Sequence, residues 1–236
     1  MNISLKRIQA IFMKDYKEFS RNYAVSMMIF LPIILAFMYR QTGTESIQNS
    51  FLPLNMTFSM VTAYVQACLI AEEKERNTLR SLMMSPASIG DILLGKSLFV
   101  FIMTGVILAI CANIVGYTPN QIAVIMLALA ISTVFYVALG TICGLFTKSV
   151  MEASLAVLPV VLIFSFGPMA LFLNETHIIY KIGQWLPSTQ LVILAEQSQQ
   201  GASFGGIAEP LVIILLWTII AVAAAVILFK KRTKDE

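Results

Sequence analysis

Charge is scarce in this chain, and histidine scarcer: charged residues make up 12% of its 236 positions, and there is one histidine. A net charge of only +3 leaves no basic stripe of the kind a nucleic-acid surface needs. The lone His177 stands in a polar connection. No nucleophile–base pair or set of metal ligands falls within an apolar stretch, which argues against an intramembrane enzyme. The three cysteines, Cys68, Cys111 and Cys143, all lie inside apolar stretches without CxxC spacing, so neither a disulfide framework nor a zinc site is expected. Ionisable residues are missing from the middle of these stretches, where an ion-coupled carrier would need them. Glu152 stands only at an edge, beside Lys148.

Apolar sequence is what the chain has in abundance. Hydrophobic residues reach 58%, against about 45–50% for soluble domains. Six runs are long enough to cross a bilayer: 23–39, 51–71, 98–115, 122–146, 153–173 and 211–229. The first is no signal peptide, because Met38-Tyr39-Arg40-Gln41 follows it instead of a small-x-small cleavage site. With both termini cytoplasmic, all of the 16 Lys and Arg except Arg40 and Lys181 fall on the inner side. That asymmetry is the positive-inside rule, and it fits an even number of spans. The expectation is an all-α membrane protein, a single transmembrane domain over 1–236 in the lipid bilayer.

Residues 3–21 read as an amphipathic interfacial helix. Leu5, Ile8, Ile11, Phe12, Tyr16 and Phe19 recur at three- and four-residue spacing, with Lys6, Arg7, Lys14, Asp15, Lys17 and Glu18 between them. Residues 72–86 form a charged patch between the second and third runs. There Asn77 or Thr78 caps a short predicted helix over 79–84, and Pro86 ends it. Glu72, Glu73 and Glu75 place acid at its positive end, and Leu79, Leu82 and Met83 form a small apolar face. The patch suits docking into a groove on a soluble partner.

The run Glu-Glu-Lys-Glu-Arg-Asn-Thr-Leu-Arg-Ser-Leu-Met-Met-Ser-Pro (72–86) resembles the E-K-E-R-G-T-L-x-x-L-x-x-[ST]-P signature of ABC type-2 (ABC-2) exporter permeases. Asn77 stands where the family usually has Gly, and Asn tolerates the same turn. The likeness extends to the N-terminal helix, the six spans and the segment before the last span. It implies a homodimer of permeases with a cytosolic ABC-type ATP-binding subunit under each copy, in a prokaryotic cytoplasmic membrane. ATP and magnesium would belong to the partner, with no cofactor and no catalysis in this chain. Glu73, Glu75, Arg76, Thr78, Leu79 and Leu82 would be the transmission residues. The cargo would be an amphipathic drug, peptide or lipid.

Gly90–Ser97 also matches the phosphate-loop pattern G-x-x-x-x-G-K-[ST]. It follows no strand and runs straight into an apolar stretch, so nucleotide binding is not expected; Lys96 is expected to snorkel at the inner interface. Asn55, Ser59, Thr62 and Gln66 recur at i, i+4, i+7 and i+11, one face of an α-helix. That face should meet a neighbouring helix or a wet pathway. By the resemblance, this second run and the fifth flank the dimer axis and the translocation path, with Ser165, Gly167 and Pro168 opposite. Residues 174–210, with Trp185 in an aromatic belt, suggest short external helices dipping back toward the membrane, either gate or plain interfacial loop.

Overall fold

The computed structural model describes residues 5–41, 47–76, 78, 89–201 and 204–235, and among these every regular element is helical. Six helices are long and apolar enough to cross a membrane. In order, spans 1 to 6 are Tyr23–Gln41, Ser50–Glu75, Asp91–Val115, Ile122–Phe146, Val150–Phe172 and Gly205–Lys231. Six crossings place both termini on one side. Span 3 begins seven residues before the apolar run does, because Asp91 and Lys96 are buried in the bundle instead of marking its edge.

Span 2 is the hub. Its apolar window is 89% buried, against 17–44% in the other five, so it is the one span enclosed by protein on nearly all sides. Close approach to span 4 depends on glycine. A Cβ on Gly140 would stand 2.4 Å from the Ala63 carbonyl oxygen, and one on Gly144 would stand 2.7 Å from that of Ala67. Gly140 and Gly144 are four apart, the small-xxx-small spacing by which membrane helices pack backbone to backbone. Phe58 of span 2 stacks on Tyr136 of span 4 at 5.2 Å, and Phe164 of span 5 meets Tyr136 edge-on.

Helix α1, Leu5–Arg21, has the predicted amphipathicity, and its apolar face rests on the bundle. Phe12 and Phe19 pack against Phe99 of span 3. Ile8, Ile11 and Phe19 are buried, and so is Asp15, which no purely lipid-facing stripe would contain. On the side away from the termini, α2 (Ile178–Gly183) exposes Ile178, Ile179 and Ile182. Helix α3 (Pro187–Gln199) is enclosed: Leu191, Val192, Leu194 and Ala195 are at most 1% exposed, and it packs on spans 2, 4 and 6. The segment before the last span therefore turns back into the bundle. Trp185, half-exposed, accepts a hydrogen bond at its carbonyl from Trp217 Nε1 at 2.9 Å.

Candidate functional site

The last turn of span 2, Glu72–Arg76, sends successive side chains to different elements. Glu73 is fully buried and ion-paired to Lys14 of α1, and its Oε2 lies 2.9 Å from Lys96 Nζ of span 3. Lys96 is fully buried too and reaches Asp15 at 3.4 Å. Lys74 donates to the carbonyls of Leu145 and Thr147 at 2.8 and 2.5 Å, capping the end of span 4 with a cation where the helix dipole is negative. Glu75 accepts from the Val150 N–H at 3.0 Å, which caps the start of span 5 with an anion. Arg76 pairs with Glu72 at 2.6 Å and is exposed, and Thr78 Oγ1 donates to the Glu73 carbonyl. One helical turn thus fastens α1 and spans 3, 4 and 5 to span 2.

Around Glu73 the charges are tightly coupled. Burial pushes the Asp15 carboxyl up to about 6, with Glu73 adding to the rise and Lys96 opposing it. Burial alone would lower the Lys14 ammonium; Glu73, Glu18 and Asp15 outweigh it and hold the group above its ordinary value. The carboxylates of Asp15, Glu18 and Glu73 come within 4.8 Å of one another, close enough to suggest a cation site. Lys14 and Lys96 already supply the counter-charge, so the set reads as an ion-pair network. Beside it, between α1 and the end of span 2, an open polar cleft of about 580 Å³ is lined by Lys14, Lys17, Arg21, Glu72 and Arg76.

Several sequence expectations change here. Lys96 does not snorkel: it is enclosed because two carboxylates meet it. The phosphate-loop pattern has a packing explanation, since a Cβ on Gly95 would stand 2.8 Å from Ile11 Cβ, so Gly95 lets α1 lie close while Lys96 faces the acids. Glu73 turns inward, and Glu75, though exposed, is engaged by span 5. Leu79 and Leu82, with the short helix expected over 79–84, lie outside the described residues.

Higher in span 2, Asn55, Ser59, Thr62 and Gln66 are all buried, but they do not share a face. Residues Thr57–Ala63 form a π-helix, whose i→i+5 bonding turns the chain less per residue and breaks the α-helical spacing. The polar side chains consequently reach three neighbours. Ser59 bonds Ser165 of span 5 at 2.5 Å, Thr62 bonds Thr104 of span 3 at 2.8 Å, and Gln66 donates to Thr141 of span 4 at 3.1 Å. Asn55 leaves both amide atoms unpartnered, beside a cavity of about 20 Å³ shared with Ser165 and Pro168. Gly167 admits Leu186 and Ser188 at the start of α3, and buried Pro168 lies in the 3₁₀ turn Gly167–Phe172 that closes span 5. Thr104, Thr141 and the Gly140/Gly144 pair were missed by sequence reasoning; the four-residue glycine spacing was the available signal.

Six apolar crossings around one enclosed polar span, with α1 locked to its foot, define a multi-pass helical membrane protein built around internal polar contacts. The chain belongs to the ABC-2 family of transporters: the family model described as "ABC-2 family transporter protein" matches residues 1–227. It is therefore the membrane component of an ABC transporter, not itself catalytic. No individual curated protein sequence matches it.

Proposed function

We propose that this chain is the permease subunit of an ATP-driven exporter, working as a homodimer with two copies of a separate ABC-type ATP-binding subunit. In this reading the side bearing the termini is the cytoplasmic side of a prokaryotic inner membrane. Residues 72–86 are the handle on which the ATP-binding subunit pushes. ATP and magnesium act in that partner. The observation that carries the proposal is the fan of contacts from Glu72–Arg76, through which any push on the handle is delivered at once to α1 and to spans 3, 4 and 5.

The roles of the handle residues divide. Arg76, Thr78, Leu79 and Leu82 meet the partner, and the polar cleft beside Arg76 receives part of it. Glu73 and Glu75 transmit within the chain, because their carboxylates are already engaged. Asn55, Ser59, Thr62 and Gln66 are buried within one copy here; with Ser165, Gly167 and Pro168 they come to flank the translocation path and the dimer axis once span 2 exchanges these contacts. The side chains of Asn55, Ser59, Thr62, Gln66 and Ser165 are polar and uncharged, which suits an amphipathic cargo such as a drug, peptide or lipid.

Co-expression with candidate ABC-type ATPases, followed by co-purification and ATP turnover, tests the proposal. The intact chain should retain an ATPase, and Arg76→Ala with Leu79→Ala and Leu82→Ala should reduce retention about tenfold, roughly 1.4 kcal/mol. Its thermal unfolding midpoint should fall by no more than a few degrees, since Arg76 is exposed and only its pair with Glu72 is lost. If the folded native chain retains no ATPase, the handle is only a loop and the proposal fails.

A further inference from the structure

Spans 3 and 4 are consecutive, yet a groove separates them along most of their length. One stretch, of about 450 Å³, lies between spans 3, 4 and 6, with Leu94, Phe101, Val137 and Val226 among its walls. A second, of about 320 Å³, continues between spans 2, 3 and 4 from Phe101 to Asn113. Phe101 lines both. From Leu93 to Asn113 the rise is about 30 Å at 1.5 Å per residue, the thickness of the hydrocarbon core. Phe101 thus divides one transmembrane groove into two leaflet-sized halves.

The lining is apolar, which in a bilayer selects hydrocarbon; its few hydroxyls include Thr141, already bonded to Gln66 and to the Val137 carbonyl. The ends differ in charge. Val222 and Val226 line the half nearer the termini, and Lys230 follows at the same four-residue step, on the same face of span 6. Lys230 and Lys231 are both exposed. Asp91, at the same end of span 3, is buried and paired with Arg7 at 3.5 Å, so it sets no free anion there. At the opposite end, residues 113–122 carry no charged side chain at all.

We infer that the half-groove nearer the termini holds an acyl chain of an anionic phospholipid, whose phosphate is bound by Lys230 and Lys231. Cations at the rim and hydrocarbon walls below are the two chemistries such a lipid presents in that order. The inference rests on the membrane-spanning fold alone and stands or falls independently of ATP coupling.

The test is thermal unfolding of the purified full chain in neutral detergent, with added phosphatidylglycerol, phosphatidylcholine or glycerol 3-phosphate. Phosphatidylglycerol should raise the midpoint by about 5 °C at saturation. Phosphatidylcholine should raise it much less, and the tail-free glycerol 3-phosphate not at all. Lys230→Gln with Lys231→Gln, both on the surface, should keep the basal midpoint and lose the preference for phosphatidylglycerol. Ala225→Phe, which fills the groove, should lose the response to both lipids. Equal shifts from the two lipids, or an undiminished preference in the double lysine variant, would overturn the inference. A shift from glycerol 3-phosphate alone would reduce the site to a phosphate contact and overturn it too. So would conversion of a dimer to a monomer by Ala225→Phe without loss of the lipid response, which would make a second copy the occupant.

Discussion

Between Asn55 and Gln66, span 2 meets its neighbours through neutral groups, whereas between Glu72 and Arg76 it meets them through full charges. The energetic scales differ. A hydrogen bond between membrane helices contributes about 0.6 kcal/mol on average, because each group readily finds another partner. Removing one member of a buried ion pair costs about 3–5 kcal/mol, because the charge left behind has none. The π-helical stretch Thr57–Ala63, of a kind frequent at functional sites, falls within the neutral part. The foot of span 2 is therefore held in one arrangement, while its middle can exchange contacts cheaply. Under the coupling proposal, force applied at the foot moves α1 and the ends of spans 3 to 5 together, and the middle of span 2 takes up the change.

The contrast breaks most visibly at Lys96. Replacing it by Met leaves Glu73 and Asp15 buried near one another with only Lys14 to meet them, and should cost about 3–5 kcal/mol. For a chain of this size that is a fall of roughly 10 °C in the unfolding midpoint. Adding Glu73→Gln and Asp15→Asn to Lys96→Met removes the stranded charges and should restore most of the loss. If Lys96→Met alone leaves the midpoint unchanged, the network is not what holds the foot together.

A smaller effect comes from pH. Asp15 has a folded pKa raised from 3.8 to about 6, so the folded chain holds this proton more tightly than the unfolded chain does. Its contribution to stability is therefore greatest below about pH 4 and is lost as pH rises through 6. At about 1.4 kcal/mol per unit, the swing is about 3 kcal/mol. Asp15→Asn cannot titrate. Plotted from pH 4 to 7, the stability of the native chain relative to this variant should decline and then level off; a flat difference would contradict the burial argument.

How much of this was legible in the sequence follows from which forces are local. The six spans, α1 and the family likeness were readable because apolar length, helical periodicity and a charged consecutive run are all properties of neighbouring residues. Span 4 matches its run at both ends. The start of span 3 was not readable, since Lys96 looks like an interface marker unless Asp15 and Glu73, 81 and 23 positions away, are known to meet it. The common face for Asn55 to Gln66 failed for a different reason. It assumed α-helical turning through a stretch where the chain bonds i→i+5, and no residue type there announces that change. The enclosure of α3 likewise depends on Gly167 leaving room for Leu186 and Ser188, a long-range fit.

The smallest effect sharpens the comparison from the neutral side. Ser165→Ala removes the partner of Ser59 but leaves Ser59 its carbonyl acceptors at Asn55 and Met56, 3.1 and 3.3 Å away. Thr104→Val likewise leaves Thr62 buried without its hydroxyl partner. Each should cost about 0.6 kcal/mol, at most about 1.7, a shift of a few degrees beside the roughly 10 °C expected for Lys96→Met. Replacing both members of the Thr62–Thr104 pair by Val should cost no more than the single change, because no donor is then stranded. A Thr104→Val loss as large as that of Lys96→Met would mean that the middle of span 2 is fixed as firmly as its foot. The cheap exchange of contacts that the coupling proposal needs there would then be lost.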